Sequence, residues 1–130
     1  MALTNAGRDF IAAQVSGTPT ATTASTTLAW IGLTADTGQT IDATQTTLTA
    51  EIAVNGLTRQ QATYAHTNGT TTWTLTKTFT YTAATSTTVT RMGLFTAVSA
   101  GTMGFITALA SSATVSANGD TLTVTHTITI

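Results

Sequence analysis

The sequence predicts a mainly β protein: an antiparallel, jelly-roll-like β-sandwich of about seven to eight strands with one short N-terminal α-helix. Three observations carry this. Threonine alternates with larger side chains over residues 69–88 and again over 121–129, the period of two that a half-buried strand requires. Turn signals (Asn55-Gly56, Asn68-Gly69, Asn118-Gly119 and the loop at 98–102) divide the chain into short segments. After residue 15 no helical periodicity recurs.

The helix is expected over about residues 5–15. Thr4 or Asn5 can cap its first amides, and Asp9 lies where a carboxylate suits the helix dipole. Ala6 with Phe10, and Ile11 with Val15, fall on shared faces. Gly17 and Pro19 end it. Residues 16–27, SGTPTATTASTT, read as a loop or extended arm that orders against a neighbour. The whole chain, 1–130, is expected to form a single sandwich domain.

Strands are expected in LAWIGLT, LTAEIAVNG and LTRQQATYAHT, the last two flanking Asn55-Gly56, with a long loop over 34–47. Asn68-Gly69 predicts a two-residue type I′ hairpin pairing Thr67 with Thr70, Tyr64 with Trp73, Ala62 with Leu75 and Gln60 with Lys77. In that register Trp73, Leu75, Lys77, Phe79 and Tyr81 share one face with Ala62 and Tyr64, and the intervening threonines share the other. Lys77 is the exception on the apolar face. TTVTRMGLFTA and TMGFITALA form the next hairpin, with Gly93 and Gly104 marking bulges or close backbone approach. A tight turn at Asn118-Gly119 would pair Val115 with Leu122. Leu122, Val124, His126, Ile128 and Ile130 then alternate with threonines to the last residue.

Composition narrows the function. Of 130 residues, 38 are threonine and only 7% are charged, so hydroxyls replace charges as the solubilising groups. The net charge of −1 and four scattered bases (Arg8, Arg59, Lys77, Arg91) argue against partnership with nucleic acid or an anionic membrane. No apolar run is long enough for a membrane-spanning helix, and the first residues lack a signal peptide's basic and apolar regions. There is no cysteine. Low charge near neutrality suits a protein whose surface is covered by partners, which predicts a homo-oligomer or larger assembly.

No constellation for chemistry stands out. The five acids fall on separate segments, except Asp36 and Asp42, whose shared loop lacks calcium-loop spacing. His66 beside a turn reads as solvated. His126, in phase with the apolar series, reads as a hydrogen-bonded core or interface histidine, with a buried ligand or pH switch as the functional alternative. No nucleophile elbow, zinc motif or phosphate loop occurs. No catalytic, cofactor or metal residue is therefore assigned, and the protein is expected not to be an enzyme. Arg91 reads as a solvent-facing strand arginine, with an inter-subunit ion pair as the alternative. Trp30, Tyr64, Trp73 and Phe79 could build a carbohydrate platform, although cross-strand aromatics more often pack a core. Thr-x-Thr spacing also occurs on ice-binding solenoids, but no fixed coil period accompanies it here. Threonine favours strands and binds water without charge, so it suits the wet face of a sheet.

LTNAGRDFIAAQVSG at the start, GLTRQQATYAHTNGTTTWTLTKTFT in the centre and MGLFTA…GTMGFITALASSATVSANGDTLTVTHTITI at the end resemble small virion structural proteins of tailed bacteriophages. The likeness covers most of the chain. It implies a virion component made in the host bacterial cytoplasm, without cofactor. Foremost among its implied roles is a capsid decoration protein that binds the major capsid protein or other virion subunits as a homo-oligomer, a trimer being favoured. A tail or fibre-associated protein is the alternative, and a carbohydrate- or ice-binding module the third. Arg8, Phe10, Pro19 and Arg91 are the candidate assembly contacts.

Overall fold

The structure, a computed structural model, describes residues 1–7 and 27–129. Among the described residues eight strands form two antiparallel sheets: β1 (Ala2–Leu3), β2 (Trp30–Thr34), β3 (Gln60–Gln61), β4 (Thr63–His66), β5 (Thr72–Thr80), β6 (Thr87–Phe95), β7 (Met103–Val115) and β8 (Thr121–Thr129). The larger sheet has the order β1-β7-β6-β2-β3 and the smaller β4-β5-β8. The expected β-sandwich is therefore formed. Residues 5–7 are helical, and the Thr4 hydroxyl caps them by accepting the Gly7 amide at 3.0 Å. The rest of the expected helix, the arm at 16–26, Arg8, Phe10, Pro19 and Ile130 lie outside the described residues.

The sandwich closes because the β6–β7 hairpin folds over the β5–β8 pair. Two arches, 81–86 and 116–120, carry the chain between sheets, and Tyr81 ties both. Its buried hydroxyl bonds the Thr85 carbonyl and, at 2.9 Å, the Thr87 hydroxyl. Its backbone amide donates to Asp120 at 2.7 Å, and its carbonyl accepts the Gly119 amide at 2.8 Å. Asn118-Gly119 is thus an inter-sheet corner. Val115 pairs with Thr87 and Leu122 with Phe79, which corrects the expected Val115–Leu122 pairing. The Asp120 carboxylate shapes the corner by accepting the amides of Ser116 and Ala117, and those bonds hold its pKa below the usual aspartate value.

Period-two alternation delivers its apolar face as expected. Leu75 and Phe79 of β5 meet Val124 and Ile128 of β8 and pack against Ile31, Leu33, Met92, Leu94 and Phe105 of the larger sheet. Burying such side chains stabilises by roughly 1.5–3 kcal/mol each, before the entropy cost of ordering them. The opposite face of the larger sheet is covered too. Phe95, Met103 and Ile106 pack there with Leu48, and with Trp30 and Ile41 at the margin.

The β4–β5 register differs from the expectation. Tyr64 pairs with Leu75 and His66 with Trp73, a slip of two residues. The Thr67–Thr70 turn is present, with its amide-to-carbonyl bond at 3.1 Å, but Thr70 and Thr71 join the connection instead of the ladder. A two-residue slip keeps every side chain on its original face, so alternation could not detect it. The turn is not type I′, because only Gly69, and not Asn68, has positive φ. That geometry occurs at Asn55-Gly56, where φ is 60° and 78°.

Two other expectations are corrected. Residues 48–56 form no strand beyond a bridge between Thr34 and Glu51. Ala50 has φ 51°, and the segment rounds the edge of the larger sheet, sending Leu48 to the outer cluster and Ile52 to the inner one. Residues 57–67 divide between the sheets: β3 joins β2 and β4 joins β5. Gly93 provides close approach within a regular ladder, and Gly104 provides both close approach and a register break, because Leu94 pairs with Phe105 and Phe95 with Met103, leaving Gly104 unpaired between them. A Cβ on Gly93 would meet the Phe95 ring at 2.8 Å, and one on Gly104 would meet Leu28 at 2.5 Å. A second register break falls between Val89 and Arg91.

Arg59 pins this packing from outside. Its Nε and Nη2 donate to Glu51 Oε1 and Oε2 at 2.8 and 2.6 Å, and Nη1 donates to the carbonyls of Ala97 and Ala100 at 3.0 and 2.7 Å. The guanidinium lies 3.4 Å over the Phe95 ring. The bidentate pair is mostly shielded from water, so screening weakens it little. Arg59→Met is expected to lower stability by about 2 kcal/mol, since it strands a half-buried carboxylate and two carbonyls. Chemical denaturation measures that loss, and hydrogen exchange is expected to accelerate in the 96–102 loop. Unchanged exchange there would show that Arg59 does not hold the loop.

Candidate assembly surface

The outward face of the smaller sheet is a lattice of threonine hydroxyls. β5 and β8 pair over nine residues without a register break, and five of those pairs are threonine on threonine: 72 with 129, 74 with 127, 76 with 125, 78 with 123 and 80 with 121. Thr63 extends one row onto β4, opposite Thr76. Neighbouring hydroxyls bond across the strands, Thr76 to Thr125 at 3.1 Å and Thr78 to Thr123 at 2.8 Å. All five β8 threonines of these rows are exposed, and no charged side chain interrupts the rows. Lys77 falls on the inward-pointing set, half-buried. The hydroxyls of this face can donate to and accept from water or another uncharged surface, and among the described residues the face has no ion pairs to desolvate on contact.

The histidines separate into one exposed and one buried, as expected, but among the described residues the buried one lacks the expected hydrogen bond at Nε2. His66 is exposed, and its Nδ1 lies 2.9 Å from the Thr72 carbonyl, a bond that requires the proton on Nδ1. An open concavity of about 250 Å³ lies beside it at the end of the β4–β5 hairpin, walled by His66, Trp73, Thr70 and Thr72. His126 is buried between sheets, edge-on to Phe105 at 5.4 Å, and its Nε2 has no hydrogen-bond partner among the described residues. Burial pushes its pKa down to about 4, with a smaller push from the positive charge of the amino terminus.

The structure distributes the other sequence candidates. Arg91 is half-buried, and its guanidinium donates to the carbonyls of Asp36 and, at 2.6 Å, Thr37 within the same chain. The Asp36 carboxylate accepts the amides of Gly38 and Gln39, and Asp42 accepts the Thr44 hydroxyl and amide. Those bonds, the hydroxyl foremost, lower the Asp42 pKa. The two carboxylates thus fold their loop, and no group of three metal-ligating side chains occurs among the described residues. Nor do the four aromatics form one platform. Phe79 is fully buried, Trp30 joins the outer cluster of the larger sheet, and Tyr64 is 61% exposed on β4. Sequence reasoning missed the Arg59–Glu51 clamp, because its partners lie eight to 41 residues away. Among the described residues no helix is long and apolar enough to cross a membrane.

A two-sheet body with an uncharged, hydroxyl-covered face suits a structural protein that presents surface. The family match agrees with that reading. Residues 6–129 match the family model described as podophage GP4 fiber I protein gp80, and the chain belongs to that family. This makes it a tailed-phage virion structural protein. The match supports the tail or fibre alternative over the capsid decoration role. No curated protein matches the chain.

Proposed function

We propose that this protein is a non-enzymatic subunit of the phage tail-fibre apparatus, made in the host cytoplasm and incorporated into the virion beside other structural subunits. The observation that carries the reading is the fibre family match across residues 6–129. The fold suits the task. Two arches tied by one tyrosine interlock the sheets, so a pull on either end is resisted by the nine-pair β5–β8 ladder as well as by the core. An uncharged face lets subunits pack at little desolvation cost.

Immunogold labelling of purified virions, with antibody raised to the folded chain, tests the assignment. Gold is expected on the tail fibres, at a copy number of a few to some dozens per particle, lost when tails are sheared from heads. Uniform label over the head shell would return the protein to the capsid.

A further inference from the structure

Among the described residues the long edge of the smaller sheet is unguarded. The other outer strands are very short: β1 and β3 have two residues each and β4 has four. Shortness is one of the devices by which folded proteins blunt a sheet edge, alongside lysine, proline, bulges and covering segments. Among the described residues β8 has none of them. It is nine residues long, pairs with β5 on one side without a bulge, and has no strand partner on the other among the described residues. Its sequence, TLTVTHTIT, holds no carboxylate, amine, guanidinium or proline. Its inward side chains Val124, His126 and Ile128 are already buried, so the strand cannot twist away without opening the core.

We infer that β8 pairs antiparallel with β8 of a second copy of this chain, across a two-fold axis, joining two three-stranded sheets into one continuous sheet. The strand is complementary to itself. All its threonines occupy odd positions and all its other residues even ones. With the axis at Thr125, Thr123 therefore faces Thr127, Val124 faces His126 and Leu122 faces Ile128. The β5–β8 ladder is the precedent within one chain, because β5 has the same alternation and matches threonine to threonine throughout. Thr76–Thr125 and Thr78–Thr123 show the hydroxyl bonds that such rows form, and the same bonds continue across the axis. A net charge of −1 gives the two copies little to repel. The pairing would extend the threonine lattice across both subunits, and it does not depend on where in the virion the protein sits.

The chain lacks cysteine, so a single introduced thiol reports contact unambiguously. Thr123→Cys, Thr125→Cys and Thr127→Cys, each made alone on the full chain, are expected to give a two-chain mass by light scattering. Thr125→Cys, which faces its own counterpart across the axis, is expected to form a disulfide-linked dimer under mild oxidation, because facing Cβ atoms across an antiparallel pair lie within about 5.5 Å. Thr123→Cys and Thr127→Cys each face threonine and are expected to link only when the two variants are mixed. Thr74→Cys, on the same face but inside the sheet on β5, is expected to stay unlinked. The triple change of Thr123, Thr125 and Thr127 to Lys is expected to lose the dimer, and mixing it with the matching triple Asp variant to restore it. A one-chain mass for the unaltered protein at every concentration overturns the inference. So does an oligomer of any size that links at no β8 position. Either result leaves the fibre assignment standing, which the virion labelling tests separately.

Discussion

Gly56→Ala is expected to lower stability by about 3–5 kcal/mol, while Gly69→Ala lowers it by only about 1 kcal/mol. Both glycines have positive φ, 78° and 85°, so each substitution meets the same left-handed strain. The difference is space. A Cβ on Gly56 would lie 1.9 Å from the Thr80 carbonyl oxygen, which is backbone and cannot swing aside. Nothing lies within 4 Å of the corresponding position on Gly69. The Asn55-Gly56 turn is pressed against the end of β5, where the Thr82 amide donates to the Asn55 carbonyl at 3.1 Å. Leu57, next in the chain, is fully buried. Relieving the clash therefore pulls the turn from the sheet and drags a core leucine with it. A loss of this size is a large share of a typical domain's 5–15 kcal/mol. Urea unfolding of the two variants side by side measures it, and equal midpoints would refute the docked turn.

Acidification provides the second large effect. His126 has a folded-state pKa of about 4, against an ordinary value of 6.5. Above pH 6.5 the imidazole is neutral in both folded and unfolded chains, and it imposes no protonation penalty. Between pH 6.5 and 4 the unfolded chain takes up a proton that the folded chain refuses, so stability falls as pH falls. Below about 4 both forms are protonated and this contribution levels off. The full drop is about 3 kcal/mol. The shifted carboxylates, Asp42 and Asp120, have folded pKa values below 3.8, so their stabilisation is lost at lower pH than most of the histidine window. His126→Leu is expected to flatten the melting temperature between pH 7 and 4.5. At pH 7 the leucine variant is expected to be as stable or more so, since it removes a buried nitrogen without a partner. A wild-type slope that survives the substitution would place the titration elsewhere.

Much of this architecture was legible in the residues. Alternation assigned the faces of β5 and β8 because side-chain direction depends only on parity along a strand. Trp73, Leu75, Phe79, Val124 and Ile128 point to the core side, and the threonines between them line the opposite face. Thr4 as a cap was legible for the same local reason. Arg59 gave no local sign of its role: it has one ion-pair partner eight residues back, a ring to stack on at Phe95, and two carbonyls in a hairpin about 40 residues ahead. The candidate surface was half visible. Its threonine rows followed from the period, but the outer place of β8 among the described strands follows from strand order.

The sequence by itself determined a threonine-skinned antiparallel β protein, the face on which each central side chain lies, and the places where the chain turns. These depend on backbone geometry over a few residues. Only the tertiary structure decided the partners. It slid β4 by two residues against β5. It made Asn118-Gly119 a corner between sheets instead of a hairpin. It moved type I′ geometry from Asn68-Gly69 to Asn55-Gly56, and it left β8 as a long outer strand. Each choice keeps the parity of side chains intact, so local pattern is indifferent among the alternatives. What separates them is how two sheets bury a shared core, an energy that belongs to contacts distant in sequence.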